Sequence, residues 1–251
     1  MFNASIRASE SEDGFVNYIL EGQPEPPLYF ARMKRDNKMG PKVLSGVPKP
    51  RQMSVTELQA IDGHTCAVVD ARPWNQFKAG HVPGALSLPL LVSFSTDAGS
   101  IIDEHESIYL IVDPLHLDEA VRGLIRVGLD NIQGWFPADE LKHYGKKLTI
   151  TAEVDVRGAQ SMIEQSKLFI LDSRRRAEFV EGHLGGAVNI SHTRQLSRLA
   201  ELPKDRHILV SCRTGTRSAR VCSLLEKHGY EATNLAGGFV AWEQAKAPVE
   251  R

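Results

Sequence analysis

Asp70-Ala71-Arg72, then Phe77-Lys78-Ala79-Gly80-His81-Val82-Pro83-Gly84-Ala85, is written a second time in this chain as Asp172-Ser173-Arg174, then Phe179-Val180-Glu181-Gly182-His183-Leu184-Gly185-Gly186-Ala187. The aspartate-to-histidine separation is eleven residues in both copies. Each aspartate closes an apolar run, Cys66-Ala67-Val68-Val69 in one and Leu168-Phe169-Ile170-Leu171 in the other. Runs of that length and composition read as buried strands. Each follows a helix signal: Ser54-x-x-Glu57 has the spacing of a capping box, and Asp155 stands as an N-cap before Ala159, Met162 and Ile163. Strands alternating with helices at this pitch predict an α/β chain of two units, each a mostly parallel sheet with helices on both faces. The units are expected at 53–148 and 149–251, ordinary domain sizes. The short connection near Lys146-Lys147-Leu148 predicts that they pack together.

Chemistry in such sheets belongs at the C-terminal ends of the strands. In the second unit the run Ile208-Leu209-Val210 leads there into Ser211-Cys212-Arg213-Thr214-Gly215-Thr216-Arg217-Ser218. Ala219, Val221, Cys222, Leu224 and Leu225 then recur at helical spacing until Gly229. A cysteine therefore sits between a strand end and a helix N-terminus, where backbone N–H groups and the helix dipole favour an anion. Arg213 and Arg217 add permanent positive charge. Gly215 suits a tight loop that is closed to residues with a Cβ. A buried, inert cysteine beside surface arginines is the plain alternative, but it must explain the cysteine, the glycine, both arginines and the strand–helix setting together.

The octet resembles the active-site loop of the rhodanese sulfurtransferases, and the Gly-His-x-x-Gly-Ala segment is a second hallmark of that family, so the resemblance covers both copies, about 53 to 251. It implies a double displacement. The Cys212 thiolate takes the outer sulfur of thiosulfate or a low-molecular-weight persulfide, and the resulting Cys212 persulfide passes it to an acceptor such as sulfite, cyanide or a thiol. Amides of Arg213, Thr214, Gly215, Thr216 and Arg217 would stabilise the anionic sulfur as an oxyanion hole does oxygen. Arg213 would meet the donor, and Arg217 would hold the loop shape. No dissociable cofactor is implied, because the sulfur is carried covalently. Four residues separate Cys212 from Arg217, whereas the similar loop of cysteine phosphatases places five there. That speaks against a phosphatase or arsenate reductase.

The first copy departs at this loop. Its equivalent strand, Ile108-Tyr109-Leu110-Ile111-Val112, is followed by Asp113-Pro114-Leu115-His116, with no glycine or arginine in the loop. A carboxylate there cannot carry sulfane sulfur, so the first unit is read as inactive, stabilising the pair and walling one side of the cleft.

Asp172, Arg174 and His183 are expected to support the structure, since Asp70, Arg72 and His81 repeat them where no cysteine exists. A thiolate held by the loop needs no base from His183. Cys222 falls on the apolar stripe of its helix and reads as core rather than a resolving thiol, and Cys66 as an inert strand residue. Phe239 and Trp242, after Gly237-Gly238, fit either the mouth of the site or the core.

Residues 1–52 are expected to form an irregular arm, given the prolines of Gly22-Gln23-Pro24-Glu25-Pro26-Pro27. Phe15–Leu20 is its one apolar stretch and is expected to dock as a short helix. Glu21–Phe30 is similar to the end of the metallo-β-lactamase-fold domain in persulfide dioxygenase–rhodanese fusions. A dioxygenase domain or protein is thus an implied partner, and a non-catalytic interaction module is the alternative function. Those fusions bind iron through an H-x-H-x-D-H cluster. Here no two histidines lie two residues apart, so no metal is expected. With 42% hydrophobic residues and a formal charge of −1 over 251 residues, the chain gives no case for nucleic acid or an anionic membrane. The opening Met1–Arg7 lacks the apolar core of a signal peptide, and three unpatterned cysteines suit a reducing compartment. The expectation is cytoplasmic.

Overall fold

The computed structural model describes residues 11–20, 23, 25–41, 43–165 and 167–251. Met1–Arg7, read above for a leader, and Glu21, Gly22 and Pro24 of the proline stretch lie outside them. In chain order the elements are α1 (Glu12–Leu20), α2 (Tyr29–Met39), α3 (Val55–Ala60), β1 (Ala67–Asp70), α4 (Trp74–Ala79), β2 (Leu86–Ser87), α5 (Phe94–Ile101), β3 (Ile108–Val112), α6 (Leu117–Ile125) and β4 (Ile132–Pro137). The second unit continues with β5 (Ala152–Val154), α7 (Val156–Gln165), β6 (Phe169–Asp172), α8 (Arg176–Val180), β7 (His183–Leu184), β8 (Val188–Asn189), α9 (Gln195–Arg198), β9 (Ile208–Ser211), α10 (Thr216–Lys227), β10 (Ala232–Leu235), α11 (Gly238–Gln244) and β11 (Val249–Glu250).

Two parallel sheets result, ordered β2-β1-β3-β4 and β5-β10-β9-β6-β8. The strands at their centres are buried along nearly their whole length, which is why they read as unbroken apolar runs. The predicted caps form: Ser54 N donates to Glu57 Oε2 at 2.8 Å while Glu57 N donates to Ser54 Oγ at 3.3 Å. Asp155 Oδ1 accepts from Gly158 N at 2.8 Å. The first sheet has only a bridge, Gln52 to Trp135, where the second has β5. Each histidine of the repeat is also paired in antiparallel fashion with the chain that closes its unit, His81 with Thr149, just past the expected boundary, and His183 with Glu250.

The arm departs from expectation. α1 forms over the predicted apolar stretch but buries none of its residues, and Phe15, Val16, Tyr18, Ile19 and Leu20 stay exposed. The docked helix is instead α2, which carries the mixed basic stretch Ala31–Arg35. Tyr29 packs against the first core and lies over Gly99, where a Cβ would stand 2.8 Å from its ring. Arg32 is buried and donates through Nη2 to Val127 O, and Arg35 reaches Glu104 at 2.6 Å. A helix that docks through one aromatic ring and arginine stems escapes a search for apolar stripes.

The units share α10. Its Val221, Cys222 and Leu225 complete the second core, while Leu224 is buried in the first, beside Leu86 and Ala120. Ser87 N, on edge strand β2, donates to Ser223 Oγ at 2.9 Å, so the exposed edge of the first sheet is closed by the helix. Lys227 Nζ reaches Glu106 Oε2 and Cys66 O, both at 2.6 Å.

Candidate active site

Cys212 follows β9 directly and is fully buried. Two carbonyls of its loop are tied down from below: Phe239 N donates to Cys212 O at 2.7 Å and Val240 N to Arg213 O at 3.0 Å. Both amides belong to the first turn of α11. Gly215 N donates to Cys212 Sγ at 3.1 Å, and Ser218 Oγ lies 3.3 Å from the same sulfur. Gly215, at φ +88°, also begins α10, so the sulfur lies at the positive end of that helix.

Glycine is required twice. A Cβ on Gly215 would stand 3.1 Å from Gly237 N. One on Gly238, at φ +57°, would stand 2.4 Å from Cys212 O.

The remaining loop residues divide in role. Arg217 forms a bidentate pair with Glu178, both contacts at 2.7 Å, and this holds the Glu178 carboxyl down at about 2. The loop is thereby pinned to α8, and the charge of Arg217 is matched. Arg213 is exposed and pairs with no carboxylate among the described residues. Thr214 and Thr216 are exposed, their hydroxyls 3.5 Å apart. Of the five amides expected to serve the sulfur, Gly215 alone bonds it among the described residues. The second donor is a side chain outside those five, the Ser218 hydroxyl that closes the octet.

Asp172, Arg174 and His183 are held by local contacts around the end of β6 and the turn that follows α8. Arg174 Nε and Nη2 hold Asp172 at 3.0 and 2.7 Å, and Nη2 also donates to Gly182 O at 2.6 Å. Arg72 binds Asp70 and Gly80 O in the same way in the first unit. His183 stacks on Phe179 with ring centroids 3.8 Å apart and its Nδ1 is 3.1 Å from Phe179 O. His81 repeats this on Phe77 at 3.9 Å, with Nδ1 3.0 Å from Phe77 O. The repeated residues fasten each strand end to the following turn. Phe239 lies under the Arg174 guanidinium at 4.1 Å and is buried with Trp242, so both are core behind the loop rather than rim. Cys222 is enclosed by apolar side chains, and burial pushes its thiol well up. Cys66 lies just before β1, half-buried beside a surface groove, with Sγ 3.2 Å from Asp62 O.

In the first unit Asp113 caps a short 3-10 turn, Pro114–His116, accepting from Leu115 N at 2.8 Å. The first unit instead contributes a wall: a cleft of about 190 Å³ runs between Trp74, Ser87 and Pro89 on one side and Thr214–Thr216 with Arg220 on the other. Trp74 is fixed there by Nε1 donating to Glu153 Oε2 at 2.6 Å.

Sequence reading also missed Arg220 and Asp97. Arg220, one turn beyond Arg217 on α10, is buried 2.9 Å from Asp97 of the first unit. The three-residue spacing from Arg217 to Arg220 was a visible signal. Asp97 had none, because its partner lies more than a hundred residues away.

The described residues contain no group of three or more histidine, cysteine, aspartate or glutamate side chains placed to hold a metal ion. No helix among them is long and apolar enough to cross a membrane.

Comparison with known proteins agrees with this geometry. The family model for the rhodanese-like domain matches residues 54–118 and again 155–245. A sulfurtransferase of Allochromatium vinosum is 32% identical over 92 residues, covering 36% of this chain and 86% of its own. The thiosulfate sulfurtransferase GlpE of Vibrio cholerae is 30% identical over 98 residues, covering 39% and 92%. Among solved structures, a metallo-beta-lactamase of Staphylococcus aureus is similar at 24% identity and a TM-score of 0.44, covering 51% of this chain and 35% of that one.

Proposed function

The chain belongs to the rhodanese-like family, and on that premise we propose that it moves sulfane sulfur from an anionic donor to a nucleophilic acceptor through a persulfide on Cys212. The observation that carries this reading is the buried Cys212 sulfur with two donors aimed at it, Gly215 N and Ser218 Oγ. In the first half-reaction the thiolate attacks the outer sulfur of thiosulfate or of a small persulfide. The new S–S bond forms as the old one breaks, and sulfite or a thiolate leaves with the electron pair. In the second, the acceptor attacks the outer sulfur of the Cys212 persulfide and the thiolate is restored.

Arg213 is free to meet the donor at the mouth, Thr214 and Thr216 border its path, and Gly215 and Ser218 hold the sulfur. Arg217 fixes the loop through Glu178, while Asp172, Arg174 and His183 brace it. The division at 1–52, 53–148 and 149–251 belongs to the same proposal, with the first rhodanese-like unit inactive and serving as a wall. So does a cytoplasmic setting, where the three unpaired cysteines would stay reduced.

The second reading is an interaction module partnering a persulfide dioxygenase, favoured by the likeness of Glu21–Phe30 to the domain end in such fusions. It predicts function that survives Cys212→Ser.

The deciding measurement is the intact mass of the whole chain after brief exposure to thiosulfate and, separately, to glutathione persulfide. Gain of one sulfur atom, removed by cyanide and absent in Cys212→Ser, is expected. A free, alkylatable Cys212 that gains no sulfur from either donor would refute the transferase reading.

A further inference from the structure

Asp97 belongs to the unit that lacks a nucleophile, yet its side chain ends beside the active-site helix of the other. It is 3% exposed, and its Oδ2 stands 2.9 Å from Nη1 of Arg220, itself 5% exposed. Nη2 of the same guanidinium reaches Ser93 Oγ at 3.2 Å, so two contacts draw Arg220 toward the start of α5. Oδ2 receives no aligned hydrogen bond and Arg220 Nε has no partner, so the attachment is ionic. Burial pushes the Asp97 carboxyl up and the Arg220 guanidinium down, and each is offset by charge: Asp97 by Arg220 and then Arg217, Arg220 by Asp97 and then a Cys212 thiolate. A buried ion pair is a poor way to glue two domains, since apolar side chains close an interface at lower cost. Its position one turn from the nucleophile's loop points to an electrostatic role.

We infer that Asp97 is a positioning residue for the sulfur site: it holds Arg220 against the first unit and so sets how much positive potential reaches Cys212. This rests on the reading of Cys212 as the nucleophile. The other ionisable groups around that sulfur are matched, neutral or on the solvent side. Arg217 is paired with Glu178, and Asp172 with Arg174. His192, whose Nε2 lies 3.9 Å from Asp97 Oδ1, is pushed down to about 4 by burial and by Arg217 and Arg220, so it is uncharged at neutral pH. Cys222 is a buried neutral thiol, Glu226 lies farther along α10, and Arg213 is exposed to solvent. The balance between Arg220 and Asp97 differs from these in being buried and made across the two units.

The test is the pH profile of iodoacetamide alkylation, read at the Cys212 peptide by mass spectrometry in the whole chain. Asp97→Asn leaves Arg220 uncompensated and is expected to move the midpoint to lower pH by roughly half to one unit, the size expected for one unmatched charge nearby. Arg220→Gln is expected to move it upward by a similar amount, and the double variant to return near the parent. With thiosulfate, Asp97→Asn should lower KM about threefold while kcat also falls, because a less basic thiolate is a weaker nucleophile. Profiles that stay within about 0.2 pH unit of the parent, or single variants that shift in the same direction, overturn the inference and leave Asp97 as an interface strut. Should Asp97→Asn not fold, Arg220→Gln decides alone: an upward shift supports the inference and a flat profile rejects it. If neither donor loads sulfur although the opposed shifts appear, the transferase reading fails and the electrostatic coupling stands.

Discussion

Replacing Gly238 with alanine should damage the sulfur site through a backbone the substrate never touches. The new Cβ would stand 2.4 Å from Cys212 O and 2.8 Å from both Arg213 C and Arg213 O, all backbone atoms that cannot rotate away. Its φ of +57° adds a left-handed conformation that costs an alanine about 1–2 kcal/mol. Relief of the overlap, through loss of the Phe239 N to Cys212 O bond, adds about 1–3 kcal/mol. The total is about 2–5 kcal/mol. Gly229→Ala is the internal control: φ is +78° and nothing lies within 4 Å of the added carbon, so only the conformational cost applies. Urea unfolding gives the stabilities, and stopped-flow loading from thiosulfate gives the rates. Because relief moves the loop that carries the nucleophile, loading in Gly238→Ala should fall about a hundredfold, the usual effect of a misplacement near 1 Å. Gly229→Ala should load at the parental rate. Equal stability losses in the two variants, or an unchanged loading rate in Gly238→Ala, would show that the loop is not held against α11 as described.

Three further outcomes are expected. Ser218→Ala removes one of two donors to the sulfur and should slow loading about tenfold, with the midpoint of thermal unfolding nearly unchanged. Glu178 has its carboxyl held at about 2 by Arg217, so the stability it contributes is present above its ordinary value of 4.5 and is lost as pH falls from there toward 2. Glu178→Gln should abolish that acid-side dependence, worth about 1–2 kcal/mol after allowance for solvent screening, as read by urea titrations across the acid range. Glu226 behaves oppositely: burial between the units raises it to about 7, with Thr151 donating at 2.8 Å and His81, whose imidazole burial pushes down, 3.6 Å away. Its folded form prefers the proton, so the penalty grows as pH rises from 4.5 through 7. Glu226→Gln should therefore stabilise the chain by about 2–3 kcal/mol at pH 8 and leave it unchanged at pH 4, measured by thermal unfolding at both.

The parts of the molecule that were legible in sequence are those whose cause is local. Asp70 with Arg72, and Asp172 with Arg174, can be read because the arginine binds the aspartate two residues back and a carbonyl eight residues on. The Ser54–Glu57 box and the strand–loop–helix around Cys212 are local in the same sense. What stayed hidden depends on pairing across the chain. Asp97 and Arg220 meet only because α10 is laid against the first sheet. The docking of α2 rests on a tyrosine and an arginine instead of an apolar stripe. The alternation Val221, Cys222, Leu224, Leu225 did carry a signal that could have been used: an apolar surface too broad for one face means a helix covered on two sides.

That breadth has a consequence for how this chain can be divided. The helix that orients the nucleophile's loop has Leu224 in the core of its neighbour, Ser223 closing the neighbour's sheet edge and Lys227 tied to its far end. Cutting the chain between the two copies would bare Leu224 and leave Arg220 without Asp97, on the helix that follows Cys212. The first copy is in this sense masonry for the second, and a second copy meant to stand alone would first need the outer surface of that helix redrawn.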